Sequence, residues 1–476
     1  MKLRQDTHLK NKKTWNEIFS KYLNSKEGSI RVAIIGGGIY GCHMSNELAN
    51  SGANITLYEK EKLLFSGASS WGDTRIHNGV KYLRNKKTRD LLITEQIRFI
   101  KKYPHFLTSY QEHEHEIQMI AEDSQSILDL GSFIDLYDKT ENGKLTQYKD
   151  YPTIEYPINS TLNNKHNWSK IMTKMEIEQI FKFKNIEGGI LHGLDVCPKM
   201  YVDFPRDWFY SEFSRKNNIS LKLDTTVVLN KNEHSSIENI VKLNIIENKN
   251  KTRFNFRIAN RFFDYVINCT YNQSFPFTTL NQNKKEELPF YEVGFSLVFA
   301  EKNIQKDKKK FKPFSIYDGP FPGMTPFNIK NFNKSIFSDF KNKKLYTTTS
   351  GRLGESFKIY NIEDANKIKE QGNSKSNQRF TKNKFYTLKD EEENDVKNVL
   401  ESILHYYPDL MNDFDVIYKY WWIKSLYPSA STARPIMIQS NQNIHSNFLS
   451  VFSSKLSTVM KAEDLLLEKF IELEEL

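Results

Sequence analysis

Six residues, Gly36-Gly37-Gly38-Ile39-Tyr40-Gly41, restrict the folding of this chain more than any other segment. They follow Val32 to Ile35, a short continuous apolar run of the kind a buried parallel strand needs. A helix-like stretch follows, with Met44 and Leu48 on one face and Gly52 where a C-cap belongs. Asn54 to Tyr58 reads as a second strand, and Glu59 stands at its end, 18 residues after Gly41. This order predicts a βαβ unit. Gly36 permits the tight turn, Gly38 lets a pyrophosphate approach the backbone, and Gly41 lets the helix lie on the strand. The helix N-terminus offers N–H groups and partial positive charge to phosphates. Glu59 would accept hydrogen bonds from adenosine ribose hydroxyls, and an acid here argues against a 2′-phosphate. Gly37, Ile39, Tyr40 and Lys60 complete this candidate cofactor-binding group. The unit specifies a dinucleotide and by itself leaves nicotinamide and flavin both open.

At 476 residues, two or three domains are expected, at about 150 residues each. The 38% hydrophobic and 13% aromatic content supports a sizeable core. The net charge of +10 comes from 68 basic and 58 acidic residues without a dominant basic block. It reads as a lysine-rich solvated surface, with no nucleic-acid signature; attraction of anionic substrates or a membrane face is the alternative. Cys42, Cys197 and Cys269 are widely spaced, which fits neither a disulfide framework nor a cysteine zinc site and suggests a reducing, cytoplasmic setting. No apolar run reaches the length of about 20 residues that spans a bilayer, and residues 1–28 lack a secretory apolar core. Trp15, Ile18, Phe19, Tyr22 and Leu23 would share a face of a short helix capped by Thr14. That helix is expected to pack on the domain; a peripheral membrane or partner contact is the alternative.

The flavin question turns on Leu63 to Arg84. Ser66, Gly67, Ala68, Ser69 and Ser70 are small and polar, able to run close beside a ligand. Here the chain resembles the D-amino-acid oxidase superfamily of flavoproteins, which includes glycine and sarcosine oxidases and aerobic glycerol-3-phosphate dehydrogenases. Trp71-Gly72-Asp73-Thr74-Arg75-Ile76 is similar to the H-G-D-T-R-I of sarcosine oxidases, with Trp71 in place of His. Ile76 to Leu83 resembles the I-H-G-G-L-R-Y-L of the glycerol-3-phosphate dehydrogenases. Asp264 to Thr270 resembles the D-x-V-I-N-A-T strand that closes the family's nucleotide sheet, with Tyr271 where the family has Gly. Ser453-Ser454-Lys455-Leu456-Ser457-Thr458 resembles the G-G-K-x-T-T that runs under the flavin, with two Ser in place of two Gly. Arg434-Pro435 sits at the family's R-P.

The resemblance implies non-covalent FAD, held further by Thr74, Val227, Cys269, Thr270, Ser453, Ser454, Leu456 and Ser457. It implies an α/β fold in which a Rossmann-like FAD-binding domain and an antiparallel-sheet substrate domain are both discontinuous in sequence. The expected division is a lead-in helix in 1–28, FAD-binding parts at 29–115, 186–275 and 415–476, and substrate-domain parts at 116–185 and 276–414. Within this scheme, Thr88 to Tyr103 reads as a helix, Asn230 to Asn255 as a polar hairpin, and Asn366 to Lys384 as a polar surface loop or partly disordered insert.

Flavin chemistry needs an anion clamp, a base, and a positive group beside the ring. Arg75 is a candidate for polarising the flavin or steadying substrate; a structural, carboxylate-paired Arg is the alternative. His77 is the candidate base. Lys455 would stabilise the reduced flavin or its reaction with O₂. Arg434 would fork onto a carboxylate or phosphate, and Arg352 is a weaker candidate of the same kind. His113 and His115 lack a third ligand and are discounted as a metal site. Tyr418, Tyr420, Trp421 and Trp422 are read as core or cavity lining. The expectation is an FAD-dependent oxidoreductase taking a hydride from a CH–NH or CH–OH carbon of a small anionic substrate, with O₂ or another acceptor. A non-catalytic FAD-binding scaffold and an NAD-linked dehydrogenase are the competing readings.

Overall fold

The computed structural model describes residues 14–23, 28–69, 74–77, 79, 82, 84–108, 115–137, 169–193, 199–229, 240–246, 254–271, 290–302, 311–317, 321–327, 340, 343–348, 357–359, 362–376, 394–426, 436–441, 444–453 and 455–475. The apolar run forms the strand Arg31–Ile35, inside a six-stranded sheet. The strand order is Met437–Asn441, His445–Phe452, Tyr265–Asn268, Arg31–Ile35, Asn54–Tyr58 and Ile219–Lys222. All neighbours run parallel except the first pair.

Burial on both faces explains the run of consecutive apolar residues in Arg31–Ile35. Val32 and Ile34 face a core built with helices Ile39–Asn50, Asp203–Ser214 and Val459–Glu475, through Met44, Leu48, Phe209 and Phe470. Ala33 and Ile35 face a second core with Val227, Leu243, Phe256 and Ile258, from a four-stranded sheet on the opposite side. Helix Lys86–Lys102 is capped by the Asn85 side chain, which accepts from Thr88 N at 2.9 Å, and it buries Ile93, Ile97 and Ile100 as its spacing predicts.

A larger sheet of nine described strands forms the second layer system. Its spine is the pairing of Phe290–Glu301 with Phe414–Leu426. Helices Ile362–Ser376 and Asn394–Tyr406 pack on this sheet through Ala365, Val396, Val399 and Ile403.

The structure departs from the sequence expectations in several places. The larger sheet is mixed, because Phe314–Tyr317 pairs parallel with His115–Ala121. Strand Ile186–Gly193 pairs with His115–Ala121, and Phe414–Leu426 pairs with Phe290–Glu301. Both belong to the larger sheet, whereas divisions at 186 and 415 placed them with the nucleotide sheet. Ile240–Ile245 pairs antiparallel with Phe256–Ile258, so the expected hairpin has its second strand just beyond Asn255, and Ile240–Ile245 also runs parallel to Thr226–Leu229. The expected loop at 366–384 is helical as far as Ser376, and 377–384 lies outside the described residues. Tyr420 and Trp421, by contrast, are buried in separate core clusters, in agreement with the core reading.

The N-terminal helix Trp15–Leu23 packs on the domain. Trp15, Ile18 and Phe19 are buried, and the Trp15 ring meets Phe470 of the C-terminal helix edge-on at 5.2 Å. That burial leaves these three side chains unavailable to a membrane or partner. Among the described residues, no helix is long and apolar enough to cross a membrane, and no group of acidic, His or Cys residues is arranged for a metal.

Phe470 also stacks on Tyr265 at 4.3 Å, joining the N-terminal helix, the C-terminal helix and the nucleotide sheet. Phe470→Ala should cost about 3–5 kcal/mol, read as a lower denaturation midpoint, together with faster proteolysis in Trp15–Leu23. An unchanged midpoint would contradict this packing.

Candidate functional site: a cleft along the glycine turn

The strand Arg31–Ile35 ends in a turn that only glycine can make. Gly36 has φ +105°, and its N–H donates to Tyr58 O at 2.7 Å. A Cβ on Gly41 would lie 1.8 Å from Gly36 O. The helix therefore starts directly against the strand end, with Gly38 as an N-cap that supplies no side-chain bond. The Ile39 N–H at this terminus donates to Ser69 Oγ at 3.0 Å. The small-residue segment thus lies against the helix N-terminus, with Ser69 on Ile39 N and the Ser66 hydroxyl donating to Leu63 O at 2.8 Å.

This turn forms one wall of a cleft of about 440 Å³. Gly36, Gly38, Ile39, Tyr40, Glu59, Lys60, Ser66, Ala68, Ser69, Arg75, His77, Val227, Cys269, Thr270, Ser453, Lys455 and Leu456 all line it. Gly37 and Gly41 lie behind the lining and shape the turn. Thr74 is buried, its hydroxyl donating to Met200 O at 2.6 Å, and Ser457 is buried beneath the loop. Ser70, Ser454, Arg352 and Arg434 lie outside the described residues, as does His113.

Glu59 is almost completely buried. It accepts from Gly37 N at 2.6 Å through Oε2 and from Glu61 N at 2.9 Å through Oε1. Burial pushes its carboxyl above the usual range, opposed by those two bonds. Each oxygen keeps a second lone pair, so ribose hydroxyls fit as further donors. Thr225 N donates to Glu59 O at 2.9 Å and Asp224 N to Glu61 O at 3.0 Å, which brings Thr225 and Thr226 into the wall at this end.

At the loop after strand His445–Phe452, Tyr40 donates to Lys455 O at 2.6 Å. Burial raises the Tyr40 phenol and the Cys269 thiol far above their ordinary values, so both stay neutral. The Lys455 ammonium lies 4.9 Å from the Tyr82 ring centroid. Ser453 turns its hydroxyl to Thr458 Oγ1 at 2.7 Å, a neighbour that satisfies the Ser standing in place of Gly. Tyr271 adopts φ +58°, so the tyrosine holds a conformation that glycine takes more readily.

The far wall comes from the larger sheet. Trp422, Ile423 and Lys424 line the cleft, with Trp422 Nε1 donating to Ser296 Oγ at 3.1 Å. Two linkages join the walls. Tyr271 OH donates to Ser425 O at 3.2 Å and Ser425 Oγ donates to Tyr271 O at 2.8 Å. Arg75 is ion-paired to Glu116 of the larger sheet, both fully buried, and Ser315 Oγ donates to Glu116 at 2.7 Å. Arg75 is thus a carboxylate-paired arginine at the edge of the cleft.

Sequence reasoning missed Tyr58, Thr225, Thr226, Lys369, Ile423 and Lys424 as lining residues, noted Tyr271 only as a departure from the family pattern, and left Trp422 open between core and cavity lining. The aromatic cluster and the Tyr271 departure were the signals available for Trp422 and Tyr271. Nothing in the local sequence marks Lys369. The geometry accepts a dinucleotide: a glycine turn without side chains, a helix N-terminus, a buried acid at the strand end, and a second arm leading to Lys455. Gly41→Ala should force the helix off the strand, with a fall in melting temperature and loss of measurable ADP binding by calorimetry. Retained ADP affinity would contradict the close contact.

The family model for FAD-dependent oxidoreductases matches residues 31–319. Among curated proteins, the FAD-dependent monooxygenase kojA of Aspergillus flavus is 35% identical over 82 residues, 17% of this chain and 19% of that protein. FPY4 of Fusarium mangiferae, also an FAD-dependent monooxygenase, is 37% identical over 73 residues, 15% of this chain and 20% of that protein. The chain thus matches about a fifth of the length of these relatives. Solved structures share the fold across nearly the whole chain. The L-α-glycerophosphate oxidase of Mycoplasma pneumoniae with FAD bound has a TM-score of 0.52 at 12% identity, covering 94% of both chains. The glycine oxidase of Geobacillus kaustophilus has 0.51 at 10%, covering 93% of this chain and 95% of its own. The amino acid oxidase NikD has 0.53 at 10%, covering 92% and 94%. With more than half of its length matched by the family model and its glycine turn, buried acid and return loop around one cleft, the chain belongs to the FAD-dependent oxidoreductase family.

Proposed function

We propose that this protein oxidises a small anionic amine or alcohol, removing a hydride from the carbon that bears the nitrogen or oxygen and passing the electrons to O₂ or another acceptor. The observation that carries this reading is the charge of the cleft beside the larger sheet. Lys424, Lys455 and His77 line it, while Glu116, the carboxylate nearest Arg75, is already occupied by that arginine. A cleft with surplus positive charge between low-dielectric walls favours a carboxylate or phosphate.

When bound, the flavin supplies the hydride acceptor. The residues supply the rest. Lys424 and Lys455 hold the anionic group, and His77 takes the proton from the amine or hydroxyl. Arg75, fixed by Glu116, keeps the cleft edge rigid, and Trp422, held by Ser296, excludes water over the reacting carbon. Arg434 and Arg352 are retained as candidate clamps. The oxidases of similar fold act on glycerophosphate, glycine and an amino acid by their own descriptions, which supports the substrate class.

Anaerobic mixing with amino acids, N-methyl amino acids and glycerol phosphate should bleach the flavin absorbance with at least one of them, and their uncharged esters or alcohols should fail. His77→Asn should slow that bleaching about 10²-fold with the cofactor retained. Bleaching by neutral compounds alone, or an unaffected His77→Asn variant, would overturn the reading.

A further inference from the structure

Helix Ile362–Ser376 belongs to the larger sheet's side of the molecule. It packs against Phe290–Glu301 and Phe414–Leu426, with Ala365 and Ile368 turned into that core. Asp364, Lys367, Glu370 and Gln371 are exposed on its outer face. Lys369 breaks this division. It lies four residues after Ala365, on the inner side, half-buried, and it lines the nucleotide cleft. There it is close enough to Lys60 and Glu61, just beyond the buried Glu59, to interact with both. Lys369 faces the half of the cleft lined by the glycine turn, Glu59, Thr225 and Thr226.

We propose that Lys369 is a further cofactor-binding residue, contributing an ammonium from the larger-sheet domain to the anionic adenosine diphosphate half of the bound dinucleotide. This rests on the cleft being the FAD site. The nucleotide domain alone then provides an incomplete site, which the helix completes. Lys60, paired with Glu61 at 3.9 Å, also lines this end, and a diphosphate entering there gains from both ammonium groups. Burial lowers the affinity of Lys369 for its proton and the Lys60 charge adds to this, while Glu61 and Glu370 oppose it; a bound diphosphate would favour the charged form. Cofactor retention is thereby coupled to the seating of the larger-sheet domain.

The test is FAD binding to the full chain, freed of flavin, followed by quenching of flavin fluorescence, with ADP and adenosine as competitors. Lys369→Met should weaken FAD and ADP about tenfold and leave adenosine unchanged. The difference should shrink near about 1 M salt, where screening is short-ranged. Lys369→Arg should bind nearly as the natural protein does, and the Lys369→Met melting temperature without flavin should be unaltered. Equal FAD affinity in Lys369→Met overturns the proposal while the cofactor reading stands. Equal weakening of adenosine and ADP also overturns it, because that indicates lost packing. If the natural sequence binds no FAD, the underlying reading fails and takes the proposal with it.

Discussion

The contact between Gly41 and Gly36 O is the constraint on which the site depends. No Cβ fits there, and the Gly36 φ of +105° is reached readily only without one. Because the helix starts flush against the strand, its N-terminus opens beside the strand ends and not above them. Every other part of the cleft is placed relative to that point. Glu59 reaches back to Gly37 N, Ser69 to Ile39 N, and Tyr40 reaches across to Lys455 O.

Segments far apart in the chain meet there, which makes the cleft a product of tertiary packing. The six-stranded sheet contributes the turn, the acid and the Cys269–Tyr271 end of its closing strand; the larger sheet contributes Trp422 and Lys424, and its packed helix contributes Lys369. The walls are tied by the Arg75–Glu116 pair and by the reciprocal Tyr271–Ser425 bonds. A buried ion pair that loses one partner is strongly destabilising. Arg75 and Glu116 therefore act together as a fixed strut between the two walls. The Tyr271 and Ser453 departures from the family pattern are absorbed locally, one by backbone conformation and one by a hydrogen bond to Thr458.

How much was legible in the sequence follows from the range of the interactions. The βαβ unit was readable because its determinants sit within some thirty residues: an apolar run, three glycines and an acid. Ser66, Ser69, Lys455 and Cys269 were placed by motif likeness and do line the cleft. A carboxylate-paired Arg75 was legible only as an alternative, and its partner Glu116 was hidden because it comes from another sheet. Lys369 was hidden because Ile362–Ser376 is so polar that only Ala365 and Ile368 mark its inner face, too few for a clear period. Trp422 and Lys424 sit in a strand with aromatic residues on both faces, so alternation could not show which ones met solvent, core or ligand. The strands that begin near 186 and 415 pair within the larger sheet, with His115–Ala121 and Phe290–Glu301, and local sequence does not show such distant partners.

The central claim is that the cleft along the glycine turn holds FAD without a covalent bond. The most direct measurement is the visible spectrum of the purified protein, followed by chromatography of what heat releases from it. Absorbance near about 450 nm and release of intact FAD are the predicted results. A colourless protein that gains no such band when FAD is added would contradict the account.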